Sequence, residues 1–523
     1  MRTLRRNTGG SGQAKAELPE KQPGKPFLKG LFGKPKMKLS SLTSLKSPKN
    51  SVTTKIPLPE VVLSFEENLR HWHLSRAGQQ LIQLEESLFG RDTWKEEKER
   101  KEEEEEKLRR DYEALLDKTW LAVEASLSAG AEGLEALKSA ASFVQQEEEQ
   151  DQRWQETPVT EAVPAWRPRR CRQTHDAQLQ RAVEKRMDET EDVSGGDDLS
   201  SSLKRDICKM GIRVKEDLLK VARNLKSCYP GDFDICNMYA RLYHEAFAER
   251  LMSVAEFDLD LDDCIYLLSW VNNHYPNAIL KHTEIKETID CQSLGALLPV
   301  EVTRPLEQQY LSHKETIVEK YISIALREEE KSWLSGSLPK LTDGHYTNDI
   351  AFDVIQCIDG VLKDAITVLG EPYKAQEIMG QLKAFLMSYK RSLDEFVKGK
   401  RGNIKAVIKA NLASLKQFED YIEKGNDFFT EEMRICCLSI VNSMKHCGYS
   451  YLSNIIHEDL RVRYRKLGTQ AWLTGKNHVL KELLEGISGH IEKCKDLKPS
   501  CFKELLGRLH TEVMVEYVKR LLK

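Results

Sequence analysis

Residues 203–225 read LKRDICKMGIRVKEDLLKVARNL. Leu203, Ile207, Met210, Val214, Leu218, Val221 and Leu225 recur three or four apart. They share one helix face, and the charged residues between them take the other. A one-sided stripe has to be buried against neighbours. Tyr229-Pro230-Gly231-Asp232 then ends the helix. Two more stripes follow: Ala351, Val354, Ile355, Ile358, Val361, Leu362 and Ile366, and Ile404, Val407, Ile408, Leu412, Leu415, Phe418 and Ile422. Short breaks between long amphipathic helices favour antiparallel bundles stacked end to end. No sequence repeat of fixed period is found. The predicted fold class is all-α: an elongated rod of stacked antiparallel helical bundles with a disordered basic N-terminal tail.

Composition agrees. The chain has 523 residues, 31% charged, 40% hydrophobic and 7% aromatic. That balance suits much exposed helix surface better than a compact enzyme with a thick core. Strand-forming stretches are scarce beside Leu, Glu, Lys and Ala, which favour helix. The twelve cysteines are scattered without a CxxC pair, as expected of reduced, mostly buried thiols in the cytosol. No stretch approaches the ~20 apolar residues needed to span a bilayer. Met1-Arg2 argues against N-myristoylation, and the final Leu521-Leu522-Lys523 against a prenylation box. Membrane contact is therefore expected to be peripheral or through partners.

Four regions are expected. Residues 1–58 carry thirteen Lys or Arg against Glu17 and Glu20, in a chain of net charge −3. This tail is too polar to offset its ordering entropy. Residues 59–150 hold long helices. Val62, Phe65, Leu69, Trp72, Leu81, Leu84 and Leu88 form a first stripe. Lys95–Arg110 is nearly all charged, with Glu97/Lys101, Glu103/Lys107, Glu105/Arg109 and Glu106/Arg110 four apart. Tyr112, Leu115, Leu116, Trp120 and Leu121 resume the apolar stripe on the same helix. Residues 151–198 read as a Pro/Gly-interrupted linker with one short helix, about His175 to Met187. Residues 199–523 form the main helical rod.

Within that rod stands Leu267-Leu268-Ser269-Trp270-Val271-Asn272-Asn273-His274-Tyr275-Pro276-Asn277. It resembles the Trp-Val…Tyr-Pro signature of the exocyst complex component 3 (Sec-six) family, in particular its vertebrate component 3-like and tumour necrosis factor alpha-induced protein two branch. Further matching stretches follow in order: Leu294–Pro299, Ala351–Gln356, Phe385–Arg391 leading to Glu395-Phe396, His457–Leu460, and Phe502–Leu506 leading to Val518-Lys519. Each is loose alone; six in order are specific. The resemblance covers roughly residues 199–523, and 59–190 more weakly. It implies a tethering-complex fold and vesicle docking at the plasma membrane, with exocyst subunits and SNARE proteins as partners. It implies no enzymatic activity and no cofactor. Family members usually continue past a segment like Val515–Lys523, so a shortened chain is expected here.

Candidate chemistry is weaker. Asp258-Leu259-Asp260-Leu261-Asp262-Asp263 starts like a calcium loop, but positions 6 and 12 are Asp263 and Ser269 instead of Gly and Glu. Carboxylates at a helix N-terminus explain it better. His457-Glu458 lacks the second His of a zincin, since position 461 is Arg. Cys436-Cys437 with His446-Cys447 matches no common zinc spacing. No phosphate loop, dinucleotide fingerprint or nucleophile elbow occurs. Trp270, Tyr275, Pro276 and Asn277 are read as structural: the aromatics anchor packing, and Tyr275-Pro276 ends the helix.

The tail is the liveliest binding candidate. Lys25, Phe27, Lys29, Phe32, Lys34, Lys36 and Lys38 interleave cations with aromatics. Near anionic lipid each Lys contributes ~1 kcal/mol, and inserted Phe adds hydrophobic anchoring. A solvated tail without a partner, a nuclear signal and a transit segment are the other readings. Nucleic acid is not expected, because the body is acidic and shows no basic stripe with stacking aromatics. The second functional reading is a diverged membrane-remodelling adaptor that binds acidic phospholipid and a small GTPase. Both readings place the protein in the cytoplasm, peripherally on plasma membrane or vesicles.

Overall fold

The computed structural model describes residues 63–89, 98–156, 163–399, 401–425, 428–474 and 478–522. They form α-helices with one short β-hairpin. The chain divides into two compact units. Unit 1 takes Met1–Asp198 and Lys215–Cys236, and unit 2 takes Leu199–Val214 and Asn237–Lys523.

In unit 1, α1 (Phe65–Arg70) starts at Ser64, whose hydroxyl accepts from the Glu67 amide while the Glu67 carboxylate accepts from the Ser64 amide. Two of the amides left open at a helix start are thereby satisfied. Helices α2 (Leu74–Phe89), α3 (Lys98–Glu124) and α4 (Ala131–Glu156) share a core of Leu74, Leu81, Leu108, Tyr112, Leu115 and Phe143. As expected, α3 is solvated early and packed late. Its inward stripe is Leu108, Tyr112, Leu115, Thr119 and Ala122, however, and Leu121 is 56% exposed. Leu121 falls off that alternating four-and-three spacing. Glu106 bonds Arg109, three residues on, instead of pairing side chain to side chain with Arg110.

The segment expected as a linker is packed. Helix α4 runs to Glu156, and α5 (Cys171–Asp188) buries Cys171, His175, Leu179, Val183 and Met187. Between them Arg167 enters the core and meets Glu85, Glu147 and Asp151. Prolines at 164 and 168 do keep this stretch non-helical, but a break in periodicity marks a turn as readily as a spacer. Helix α6 (Ser202–Lys220) continues as a π-helical stretch, Val221–Leu225, and a 3₁₀ turn before Tyr229 turns extended.

Unit 2 continues through α7 (Ile235–Ala255), α8 (Leu261–Ser269), a π-helical segment Trp270–Leu280, and the single turn α9 (Thr283–Lys286). The long α10 (Val300–Leu334) is followed by α11 (Ile350–Leu369), α12 (Gly380–Lys398), α13 (Ile404–Lys424), α14 (Glu431–Tyr464), α15 (Gln470–Thr474), α16 (His478–Glu492) and α17 (Pro499–Leu521). Two pairs of helices adjacent in sequence show an antiparallel sense. Glu307 and Lys314 of α10 meet Lys374 and Asp364 in reversed order. Ile422 and Glu419 of α13 face Arg434 and Lys445 of α14 in the same reversed sense.

Two local features depart from the sequence reading. Helix α13 is not one-sided: Ala406 to Leu415 are buried without a break, including Lys409, Asn411 and Ser414. Its polar side chains are paired instead of solvated, Lys409 with Asp496 and the Lys493 carbonyl, and Asn411 with the Val407 carbonyl. The second departure is the hairpin of β1 (Lys340–Thr342) and β2 (His345–Thr347). Its turn, Asp343-Gly344, has positive φ at both residues, the geometry that suits the right-handed twist of two strands.

Candidate functional site

The motif segment begins where α8 ends. Asp260 caps α8, its carboxylate accepting from the Asp263 amide at 2.8 Å. The carboxylates at 258–263 therefore sit at a helix start, which favours negative charge. The helix does not end at Tyr275-Pro276. It widens into the π-helical segment and runs to Leu280, with Pro276 inside. In an α-helix the proline ring would strike the carbonyl four residues back. The wider turn relieves that clash, and the Lys281 amide bonds the Pro276 carbonyl five residues back at 3.1 Å.

Trp270 is fully buried. Phe247 meets it edge-on at 6.0 Å, and His274 lies 5.3 Å away. Gly211 of α6 faces the indole, and a β-carbon there would overlap the ring. Tyr275 is also buried, and its hydroxyl bonds His244 Nδ1 at 2.9 Å. Burial lowers the His244 pKa, while a bond to the Ala296 backbone opposes the shift. His244 thus joins two of the matching stretches, Leu267–Asn277 and Leu294–Pro299.

The asparagines do different work. Asn272 Nδ2 donates to the Val368 carbonyl at 3.1 Å, and Asn273 Nδ2 to the Thr367 carbonyl at 3.4 Å. These carbonyls belong to the last turn of α11, which has no partners within its own helix. Gly370 closes the same helix with φ of 78°. Asn277, exposed, donates to Asn273 and accepts from Lys281. The motif is therefore a junction that fastens α6, α7, α8 and α11 of unit 2.

The other stretches also supply packing. Ala351, Val354, Phe385, Leu386, Tyr389, Phe396, Leu460 and Leu505 are buried, whereas Phe352 is 61% exposed. His457 bonds Tyr464 and Glu512. Glu329 accepts from Trp333 and Asn348 inside unit 2, and burial raises its carboxyl. Nothing in periodicity marks Glu329 as an inward carboxylate. Cys437 is buried with its thiol pushed up to about 11, while Cys447 is exposed among thiols that are mostly buried. Among the described residues no group of three or more His, Cys, Asp or Glu is placed to hold a metal, and no helix is long and apolar enough to cross a membrane. Lys25, Phe27, Lys29, Phe32, Lys34, Lys36 and Lys38 lie outside the described residues.

Comparison with known proteins agrees with this architecture. The chain is similar to Tumor necrosis factor alpha-induced protein 2 of Mus musculus, 29% identical over 394 residues, 74% of this chain and 56% of that protein. It is similar to Exocyst complex component 3 of Drosophila melanogaster, 22% identical over 404 residues, 74% and 54% of the respective chains. It thus spans a little over half the length of these curated relatives. The crystal structure of M-Sec superposes with a TM-score of 0.60 at 25% identity, covering 90% of this chain and 79% of that one. The family model described as Exocyst complex component Sec6 matches residues 105–523, from within α3 through α5 and all of unit 2. The chain belongs to the Exocyst complex component Sec6 family.

Proposed function

We propose that the protein is a non-enzymatic scaffold in vesicle tethering, assembling with exocyst subunits and contacting SNARE proteins at the plasma membrane. The observation that carries this reading is family membership over residues 105–523. The helical architecture supports it, because long packed helices present extended faces to other helices. Tyr275, Asn272 and Asn273 of the motif junction spend their polar groups on bonds to neighbouring helices, which suits a structural role. Recovery of exocyst subunits with the tagged protein under mild lysis tests the reading, and their consistent absence would defeat it.

The second reading, a diverged membrane adaptor, is favoured by the tail's charge, thirteen cations against two carboxylates in residues 1–58. There the tail holds anionic phospholipid and a helical face takes a small GTPase. Sedimentation with vesicles containing acidic phospholipid, lost on deletion of residues 1–58, would support it. Sedimentation unchanged by that deletion would remove the tail from the account. In both readings the protein works in the cytoplasm, peripherally on plasma membrane or vesicles.

A further inference from the structure

The stretch between α4 and α5 carries an arginine into a sealed part of unit 1. Arg167, its side chain 1% exposed, bonds Glu85 at 2.9 Å, Glu147 at 2.9 Å and Asp151 at 2.8 Å. Arg169 lies 3.6 Å over the Tyr112 ring and 3.4 Å from Glu147. Charged or titratable groups reach this centre from every packed element: Glu85 from α2, Tyr112 from α3, Glu147 and Asp151 from α4, and Cys171 from the start of α5. Burial pushes the Tyr112 phenol and the Cys171 thiol up, so both stay neutral.

Three carboxylates therefore face two guanidiniums. Full ionisation would leave one negative charge unbalanced where no side chain of the five is more than 9% exposed. A buried group in that position takes a proton instead of staying charged. The three acids are not equivalent. Asp151 accepts the Arg169 and Arg170 amides at 3.0 and 2.8 Å. Glu85 accepts the Trp154 and Trp166 indoles at 2.7 and 2.9 Å. Both carboxylates thus have neutral N–H donors besides the guanidiniums. Glu147 has only the guanidiniums, and burial raises its carboxyl despite them.

We propose that this cluster is a proton-operated latch: with a proton on Glu147 it clasps segment 163–170 against α2, α3 and α4, and loss of that proton loosens the segment. The folded state holds a proton that the unfolded state releases at lower pH. The latch is strongest below the ordinary Glu value and weakens as pH rises through the higher folded value.

Hydrogen exchange of the full chain, corrected for intrinsic rate, tests this across roughly pH 5 to 9. The Arg169 and Arg170 amides, both bonded to Asp151, are the probes. Their protection should fall with rising pH by up to about tenfold per unit, the limit for one linked proton. Glu147→Gln, a fixed neutral mimic, should abolish the dependence. Equal slopes in both proteins, or no slope in the unaltered chain, overturn the latch. Should the variant fail to fold, infrared spectra in D₂O decide. A carboxylic-acid carbonyl band above about pH 6, where ordinary carboxyls are ionised, that fades on further rise and survives Glu329→Gln, which removes the other buried raised carboxyl, supports the latch. The absence of any such surviving band refutes it.

Discussion

The indole of Trp270 occupies the space that a β-carbon on Gly211 would need. Glycine inside a helix usually costs about 1 kcal/mol relative to alanine. Here the sign reverses. Gly211→Ala should destabilise unit 2 by ~1–3 kcal/mol through overpacking, and Trp270→Ala by ~3–5 kcal/mol through the cavity it leaves. The double variant should cost less than the sum, because both changes act on one space. Urea denaturation of the four proteins reads this directly. Additive losses would mean that the contact is not shared.

His244 gives unit 2 an acid limit. Burial lowers its folded pKa, so its contribution is present above the unfolded value of about 6.5 and lost as pH falls. Melting temperature should drop on the acid side, and His244→Gln should flatten that drop. Tyr275→Phe removes the 2.9 Å bond to His244 and should cost about 1–2 kcal/mol at neutral pH.

Lys445 and Glu419 pair across α13 and α14 at 2.9 Å, both nearly buried. Lys416 holds the same carboxylate and Glu504 the same ammonium. Glu419→Gln leaves Lys445 to Glu504 alone and weakens its bonds without stranding it, so the change should cost ~1–3 kcal/mol. Replacing both by apolar side chains of similar volume should cost much less. A thermal-shift series on single and double variants separates the two cases.

Asn272 and Asn273 cover the last carbonyls of α11. Replacing both by Ala should cost about 1 kcal/mol each and loosen that helix end. Hydrogen exchange at Gly370, whose amide bonds the Ile366 carbonyl, should rise while exchange in the middle of α11 stays unchanged.

Long apolar stripes were legible in the sequence because burial imposes their spacing. Val354, Ile358 and Leu362 of α11 and Ile408, Leu412 and Leu415 of α13 lie inward as read. Polar residues gave less. Nothing in the sequence singles out Arg167 or Glu147, because charge pattern alone does not reveal a partner far along the chain, and Glu85 lies 82 residues from Arg167. Tyr275-Pro276 reads as a helix end because the rule for α-helices does not cover a π-turn. The hairpin at 340–347 was missed although Asp343-Gly344 is a recognised turn pair, because strands of three residues show no usable alternation. Trp270 and Tyr275 stood out by resemblance, but their partners Gly211 and His244 emerge only when the helices are packed.

The central claim is that this member of the family works as a tether scaffold. Quantitative mass spectrometry of material purified with the full chain and with residues 59–523 tests it most directly. The account predicts exocyst subunits in comparable amount with both, since the family match begins after the tail. Exocyst subunits with neither, together with plasma-membrane proteins recovered only through the tail, would contradict it.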